Sequence, residues 1–273
     1  MLTSTRRLVP VLLAGVLLVP HAGPVSATQP VPPEPVSAAV LAQAELDLVT
    51  LTNSKRTARG LVKLRIDPDL MAIARARAKV MAETDVMSHT EPNGQKVFDR
   101  IRAAGLTWYG AGEIIAWNNY PMEYSPAEAI RAWMGSPSHR DVMISTGYNY
   151  IGYGAAESAS GKLYYAGLFV KEPDETGAWA RFGTVSKQSV YGNRVRVTIR
   201  WSGGDVRLQV LTAGLRYFQV QRRRVGGTWA TWAATTATRK SVTWTRGYDR
   251  EVRVRARDRA GNWGPWRLIR INL

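Results

Sequence analysis

The chain has 273 residues, with 37 Lys and Arg against 21 Asp and Glu, and no cysteine. The lack of thiols excludes disulfides and thiolate metal sites, and a net charge of +16 points to an anionic partner. The excess is not spread evenly: residues 1–180 carry 17 cationic and 17 acidic side chains, whereas residues 181–273 carry 20 and 4, together with six of the ten tryptophans. This shift places a domain boundary near "KEPDETGAW", residues 171–179.

Residues 1–27 read as a secretory signal peptide. Arg6 and Arg7 precede the apolar run Leu8–Pro20, and the small residues of "VSA" place cleavage after Ala27. The run is shorter than the roughly 20 residues that a membrane span needs, and no later segment is apolar for as long. The mature chain is therefore expected to be secreted and extracellular, with no transmembrane segment. A cysteine-free exported protein of this size fits a bacterial source. Residues 28–36 follow as a Pro-rich, extended leader.

Residues 37–172 read as helices followed by strands. "PVSAAVLAQAELDLVTLTNSKRTARG" has apolar residues at helical spacing and stops at Gly60. In "DPDLMAIARARAKVMAETD", Asp67 can cap, Pro68 takes the first helical position, and Leu70, Ile73, Ala74 and Arg77 mark successive turns. "SPAEAIRAWM" suggests a capping box of Ser125 with Glu128, and "SPSHRDVMI" repeats the Ser-Pro start at Ser136. "YIGYGAAES" and "KLYYAGLFV" read as a hairpin.

Residues 181–273 read as all strand. In "RVRVTIRW", Val195, Val197 and Ile199 face one way, and in "REVRVRARD", Val252, Val254 and Ala256 alternate with Arg253, Arg255 and Arg257. "RYFQVQRR", "TWATWA", "RKSVTWTR" and "PWRLIRINL" are further short strands, so about seven strands in about 90 residues suggest a β-sandwich.

Of three histidines, His21 lies in the signal peptide. His89 and His139 remain, each beside a serine: either one shared site or two unrelated surface side chains.

Segments in order through residues 37–170 resemble the CAP superfamily, the SCP-like secreted proteins, in its cysteine-free bacterial branch. They are "LTNSKRTARGLVKL", "DPDLMAIARARAKVMAE", "MSHTEPNG", "GAGEIIA", "AIRAWMGSPSHRDVMI", "YIGYG" and "YYAGLFV". The resemblance implies an α+β fold, a CAP-type αβα sandwich over residues 37–172. Trp201 and "VRVRARDRAGNWGPW" resemble a fibronectin type III domain, an all-β immunoglobulin-like sandwich over residues 181–273, although Arg250 stands where that family often has a Tyr.

The CAP resemblance also implies a cleft of two His and two acids. By motif these are His89, His139 and Glu113, while Ser136 stands three positions after Trp133 where the second acid is expected. Glu91 and Glu123 are acids that can stand in. Two imidazoles and a carboxylate can hold Zn²⁺ or another divalent cation and leave a position open. Alternatively, a neutral His139 at the start of a helix can hydrogen-bond Glu113 as a structural link. Trp108, Tyr109, Trp117 and Tyr120 surround Glu113 in sequence and suggest a groove for a small amphipathic or lipid ligand, or else core packing. CAP proteins are mostly regarded as non-enzymatic, so the resemblance implies binding. The alternative is a metal-dependent or serine hydrolase of wall material or peptides, with Ser88 or Ser138 as nucleophile.

In the basic half, Arg253, Arg255 and Arg257 are expected to stack with Trp263 and Trp266. The surplus, Arg222, Arg223, Arg224, Arg239 and Lys240, is expected to dock on an anionic cell-envelope polymer or lipid head groups and so associate the protein with the cell wall. Nucleic acid fits the charge, but export argues against it as a physiological partner.

Overall fold

The computed structural model describes residues 35–273, so the expected signal peptide and residues 28–34 of the expected leader lie outside the described residues. Helix α1 (Ala38–Thr57) starts at Ser37, whose hydroxyl accepts from the Val40 N–H. It ends before Gly60, which takes a φ of +72°. After the short β1 (Arg65–Ile66), α2 (Pro68–Thr84) begins as expected. Asp67 Oδ1 accepts from the Asp69 and Leu70 N–H groups at 2.7 and 2.9 Å, and Pro68 lacks the donor that the first turn would leave unpaired. Then come α3 (Val97–Ala103), β2 (Gly110–Asn118), α4 (Ser125–Gly135), α5 (Pro137–Met143), β3 (Tyr150–Glu157) and β4 (Leu163–Lys171).

The four strands form a sheet in the order β1-β3-β4-β2, with β1 parallel to β3 and the other pairs antiparallel. Period-2 alternation sends Ile114, Tyr153, Tyr165 and Phe169 to one face, where Leu48 of α1 and Ile130 and Trp133 of α4 cover them. Tyr150, Leu168 and Val170 face the other way, against Leu70 and Ala74 of α2 and Ile101 of α3. Helices therefore cover both faces, the layering expected of this half. Close approach of α2 to β3 needs Gly154: a Cβ there would fall 2.1 Å from the Ala74 carbonyl carbon.

The capping box expected at Ser125 is absent. Ser125 lies inside α4 and is buried, with its hydroxyl bonded to Asn118 Oδ1 and the Tyr165 hydroxyl, while Glu128 pairs with Arg131. A buried hydroxyl meets the partners the core offers, and a tyrosine 40 residues away outcompetes the local cap.

The basic half contains β5 (Trp179–Val190), β6 (Arg194–Gly204), β7 (Leu215–Arg224), β8 (Ala230–Thr235), β9 (Arg239–Thr245), β10 (Arg250–Asp258) and β11 (Arg267–Ile271). They pair antiparallel in two sheets, β5-β6-β9 and β11-β10-β7-β8. Val195, Val197, Ile199 and Trp201 of the first sheet share one core with Phe218, Val220, Val252 and Val254 of the second. The cation–π stack forms on the outer face and is longer than expected. Arg257 meets Trp263, Trp263 meets Arg255, and Trp266 lies between Arg255 and Arg253, at 3.8 to 5.3 Å. Trp229 continues it, 4.4 Å from both Arg253 and Arg223.

The composition shift falls at a tightly bonded junction, and residues 35–273 form one compact unit. Leu208, on the β6–β7 loop, packs in the core of the first half beside Leu70 and Tyr150. Arg56 is fully buried and donates to the carbonyls of Val62, Met143 and Ser145 and to Gln209 Oε1; burial pulls its pKa down to about 10. Asn149 Nδ2 bridges the carbonyls of Glu172 and Val210.

Glu172 is buried at this junction and its Oε1 has no hydrogen-bond partner. Burial, reinforced by Asp67 and Glu175, pushes its pKa up to about 8, so it is protonated at neutral pH. A carboxyl with a raised folded-state pKa contributes stability below its unfolded value, and that contribution is lost as pH rises through about 8. Glu172→Gln keeps the neutral shape and is expected to be more stable than wild type above about pH 8, on the order of a few kcal/mol. Urea midpoints of the two proteins at acidic and alkaline pH check this; equal midpoints at alkaline pH contradict it.

Candidate functional site

The site is built around Arg77 of α2. Inward helical spacing carries its guanidinium fully into the core. There Nε donates to Glu113 Oε1 at 2.9 Å, Nη1 to Glu91 Oε1 at 3.2 Å, and Nη2 to the Ser88 carbonyl at 2.6 Å. One buried cation thereby ties α2 to the edge strand β2 and to the loop that carries His89. Arg100 of α3 closes the far side with a two-pronged contact to Glu91, and it holds that carboxyl below the usual range together with Arg77.

Glu113 points outward from this pair. Its Oε2 meets His89 Nδ1 at 2.7 Å. The carboxylate is almost buried, at 4 % side-chain exposure, while the His89 side chain is 55 % exposed. A buried carboxylate thus orients a surface imidazole through one nitrogen and leaves the other free, the arrangement often found behind metal-binding histidines.

His139 lies in the first turn of α5, as the sequence implied. Its partner is Ser136: His139 Nδ1 and Ser136 Oγ are 2.8 Å apart. The structural link expected between His139 and Glu113 is therefore made by His89. Ser136 stands where an acid was expected and meets the imidazole with a hydroxyl, which adds no charge. Burial, followed by the nearby His89, holds the His139 pKa below its ordinary value.

His89 is near enough to His139 to add to the effect of burial in lowering its pKa, and one ligand atom from each of His89, Glu113 and His139 is not brought within 4.8 Å of the other two. Among the described residues, the group whose ligand atoms lie within 4.8 Å of one another is Asp174, Asp205 and Asp258. Those carboxylates are occupied at the junction. Asp174 accepts from Thr176 and Ala213, Asp205 from Val206 and Gly214, and Asp258 from Gly261 and Asn262. Ser88 accepts from the Thr90 N–H, and Ser138 Oγ faces Ser136 Oγ at 3.3 Å. Glu91 lies in the network behind Glu113, whereas Glu123 lines a separate apolar cleft beside α1.

The four aromatics that flank Glu113 in sequence do not form one groove. Trp108 stacks on Phe98 at 6.2 Å and packs on the α2–α3 side. Tyr109 is exposed before β2, Trp117 lies under Lys162 Nζ at the far end of the strand, and Tyr120 is exposed beyond it. A strand rises about 3.3 Å per residue, which puts Tyr109 and Trp117 about 26 Å apart. The cavity between α2 and the loop 86–92 measures about 170 Å³, below the roughly 300 Å³ of a typical small-molecule pocket.

The basic residues fall into separate environments. Arg223 pairs with Glu251 at 2.6 Å on the outer face. Arg222 lies over Trp232, Arg224 over Tyr248, and Lys240 donates to the Trp232 carbonyl. Arg239 is exposed at the start of β9. No helix among the described residues is long and apolar enough to cross a membrane.

The site is thus an edge-strand carboxylate held by a buried arginine and presenting a surface histidine, inside a four-stranded sheet with helices on both faces. Residues 49–169 match the CAP family, the cysteine-rich secretory protein family, and this half of the chain carries a CAP domain. Over 116 residues the chain is 34 % identical to the uncharacterized protein YkwD of Bacillus subtilis, covering 42 % of this chain and 44 % of that one. It is 29 % identical over 127 residues to the uncharacterized membrane protein YlbC of the same organism, covering 46 % and 34 %. The chain thus spans less than half the length of these curated relatives. Among solved structures, an extracellular SCP-domain protein from Bacillus anthracis is 22 % identical with a TM-score of 0.44, covering 51 % of this chain and 45 % of that one. An outer surface protein from Borrelia burgdorferi is also 22 % identical with a TM-score of 0.44, covering 51 % and 98 %.

Two outcomes test this geometry. Arg77→Met leaves Glu113 and Glu91 short of a buried partner and is expected to lose about 3–5 kcal/mol in chemical denaturation; a loss below about 1 kcal/mol contradicts the role assigned to Arg77. A depressed histidine is stabilising when neutral, so stability falls as pH drops below the unfolded value near 6.5. His139→Gln removes that step, and its melting temperature is expected to vary less with pH there than that of wild type.

Proposed function

We propose that this chain is an exported binding protein of the bacterial cell envelope. Its CAP domain presents a two-histidine site, and its second half, read as a fibronectin III-like sandwich, holds it on an anionic envelope polymer or lipid surface. One observation carries the proposal: the cations of the second half lack acidic partners. Among the described residues from 181 onward, ion pairs link only Arg223 to Glu251 and Arg270 to Asp249. A positive field that is not cancelled internally extends about 8–10 Å into solution at ordinary ionic strength, where a polyanion can meet it.

In the CAP domain, both Glu113 oxygens are already engaged. The donors left for a divalent cation are the second ring nitrogens of His89 and His139. Two imidazoles bind Zn²⁺ more weakly than a closed four-ligand set, and Glu113 orients one of them from behind. Of the serines near the histidines, neither Ser88 nor Ser138 pairs with an imidazole among the described residues; Ser136 does, on His139, and binding is the reading preferred over turnover.

Retention of the mature chain on isolated cell walls tests the envelope role. Binding at low salt with release at high salt is expected, and retention that ignores salt contradicts it. Calorimetry with Zn²⁺ tests the cleft: weak one-to-one binding is expected in wild type and none in His89→Ala/His139→Ala.

A further inference from the structure

Alternation along β7 and β10 turns three arginines toward the core side of the sheet, two of them partly or fully buried. Phe218 and Val220 of β7 point into the core, as do Val252 and Val254 of β10. Continuing the same period puts Arg222 and Arg224 on the inner face of β7 and Arg250 on that of β10. The register makes them neighbours: Arg224 is opposite Arg250, and Arg222 is opposite Val252. Arg223 and Glu251, of the other parity, pair on the outer face. The strands therefore send the available carboxylate outward and Arg222 and Arg250 inward, with Arg224, which is exposed at the end of β7, at the mouth of the same face.

These arginines line the end of the two-sheet core, in an open cleft of about 550 Å³ whose opposite wall is Val242 and Trp244 of β9. Arg250 is only 8 % exposed. Its Nη1 donates to the carbonyls of Tyr248 and Asp249, and its guanidinium lies 5.8 Å from the rings of Trp244 and Tyr248. Among the described residues, no carboxylate is in ion-pair contact with Arg222, Arg224 or Arg250. Burial, with Arg224 and Arg222 alongside, holds the Arg250 pKa below its ordinary value. Like charges directly opposite on paired strands are destabilising, so this register carries a cost that an anion between them would offset.

We propose that this cleft binds a phosphate ester, with Arg222, Arg224 and Arg250 as its donors. Guanidinium forks match the oxygens of a phosphate group, and three of them match its number of acceptors and its charge better than those of one carboxylate. Trp244 and Val242 offer an apolar wall to the carbon body that carries the phosphate. The inference rests on the envelope-binding reading of the second half and sharpens it. It replaces a diffuse basic surface with one saturable site, adds Arg250 and leaves out Arg239; Arg223 also lines the cleft but is already paired with Glu251.

The test uses the mature chain and four probes: glycerol 3-phosphate, soluble poly(glycerol phosphate), phosphatidylglycerol vesicles diluted in phosphatidylcholine, and acetate as a carboxylate control. Saturable one-to-one binding of glycerol 3-phosphate is expected, at least tenfold weaker in Arg250→Met and in Arg222→Gln and unchanged in Arg239→Gln. Arg250→Met is also expected to melt higher than wild type without ligand, which shows that it folds. The polymer and vesicle arms separate a wall polymer from a lipid head group as the source, and saturable binding to either supports the site. Wall retention that is salt-sensitive but the same in wild type and Arg250→Met, with no saturable phosphate binding, overturns the site and leaves the envelope reading standing. Loss of wall retention in wild type as well overturns both. Acetate binding as tightly as glycerol 3-phosphate overturns the assignment to phosphate.

Discussion

A guanidinium buried between two carboxylates sets the geometry of the first half. Arg77 cannot sit in the core without Glu113 and Glu91, because an unpaired buried charge costs several kcal/mol. Those carboxylates in turn fix where β2 and the loop 86–92 can lie. Once they are placed, Glu113 has one almost buried oxygen left to turn toward the surface loop, and His89 is oriented by it. The exposed imidazole is thus positioned by an interaction that solvent does not reach. This explains how a loop side chain with little packing of its own can hold a defined direction.

The parts of this fold that were legible in the sequence are those whose inward and outward faces differ in kind. The α2 cap at Asp67 and the alternation of β6 and β10 are local patterns, and the structure follows them. β2 was not legible as a strand, because "GAGEIIAWN" packs helices against both of its faces and so shows no polar alternation. Arg77 appeared in the sequence only as a marker of helical turns. Its partners lie 14 and 36 residues away, and no local spacing reveals such pairs. Ser125 shows the converse: a good local cap was overruled by Tyr165 across the sheet. For Arg250 the signal was present, since the parity of Val252, Val254 and Ala256 extends back to it. Charge alone suggested a surface position, and parity was the better guide.

The junction explains why a sharp change in composition does not produce a loose linker. Leu208 shares a core with Leu70 and Tyr150, and Arg56 spends its donors on the carbonyls of Val62, Met143 and Ser145 and on Gln209. The approach is close at Gly264 as well, where a Cβ would fall 1.7 Å from the Ala178 carbonyl oxygen. The two halves therefore meet through packed side chains and hydrogen bonds within one compact unit.

The outer stack and the inner cleft solve the problem of many arginines in different ways. On the outer face, Trp229, Trp263 and Trp266 take the guanidinium planes, while Gln221 and Gln219 accept from Arg253 and Arg255. Aromatic faces and amides stabilise a cation without cancelling its charge. The sheet can therefore be well ordered and still strongly positive, whereas carboxylate partners would have removed the field along with the repulsion. In the inner cleft, Arg222 lies over Trp232 and Arg224 over Tyr248, while Trp244 and Tyr248 flank Arg250 at longer range, and no carboxylate among the described residues pairs with any of the three. One half of the molecule thus keeps its long-range field on a stable outer ladder and concentrates its unrelieved charge at one end of its core. An anion drawn in by the first would gain most by settling in the second.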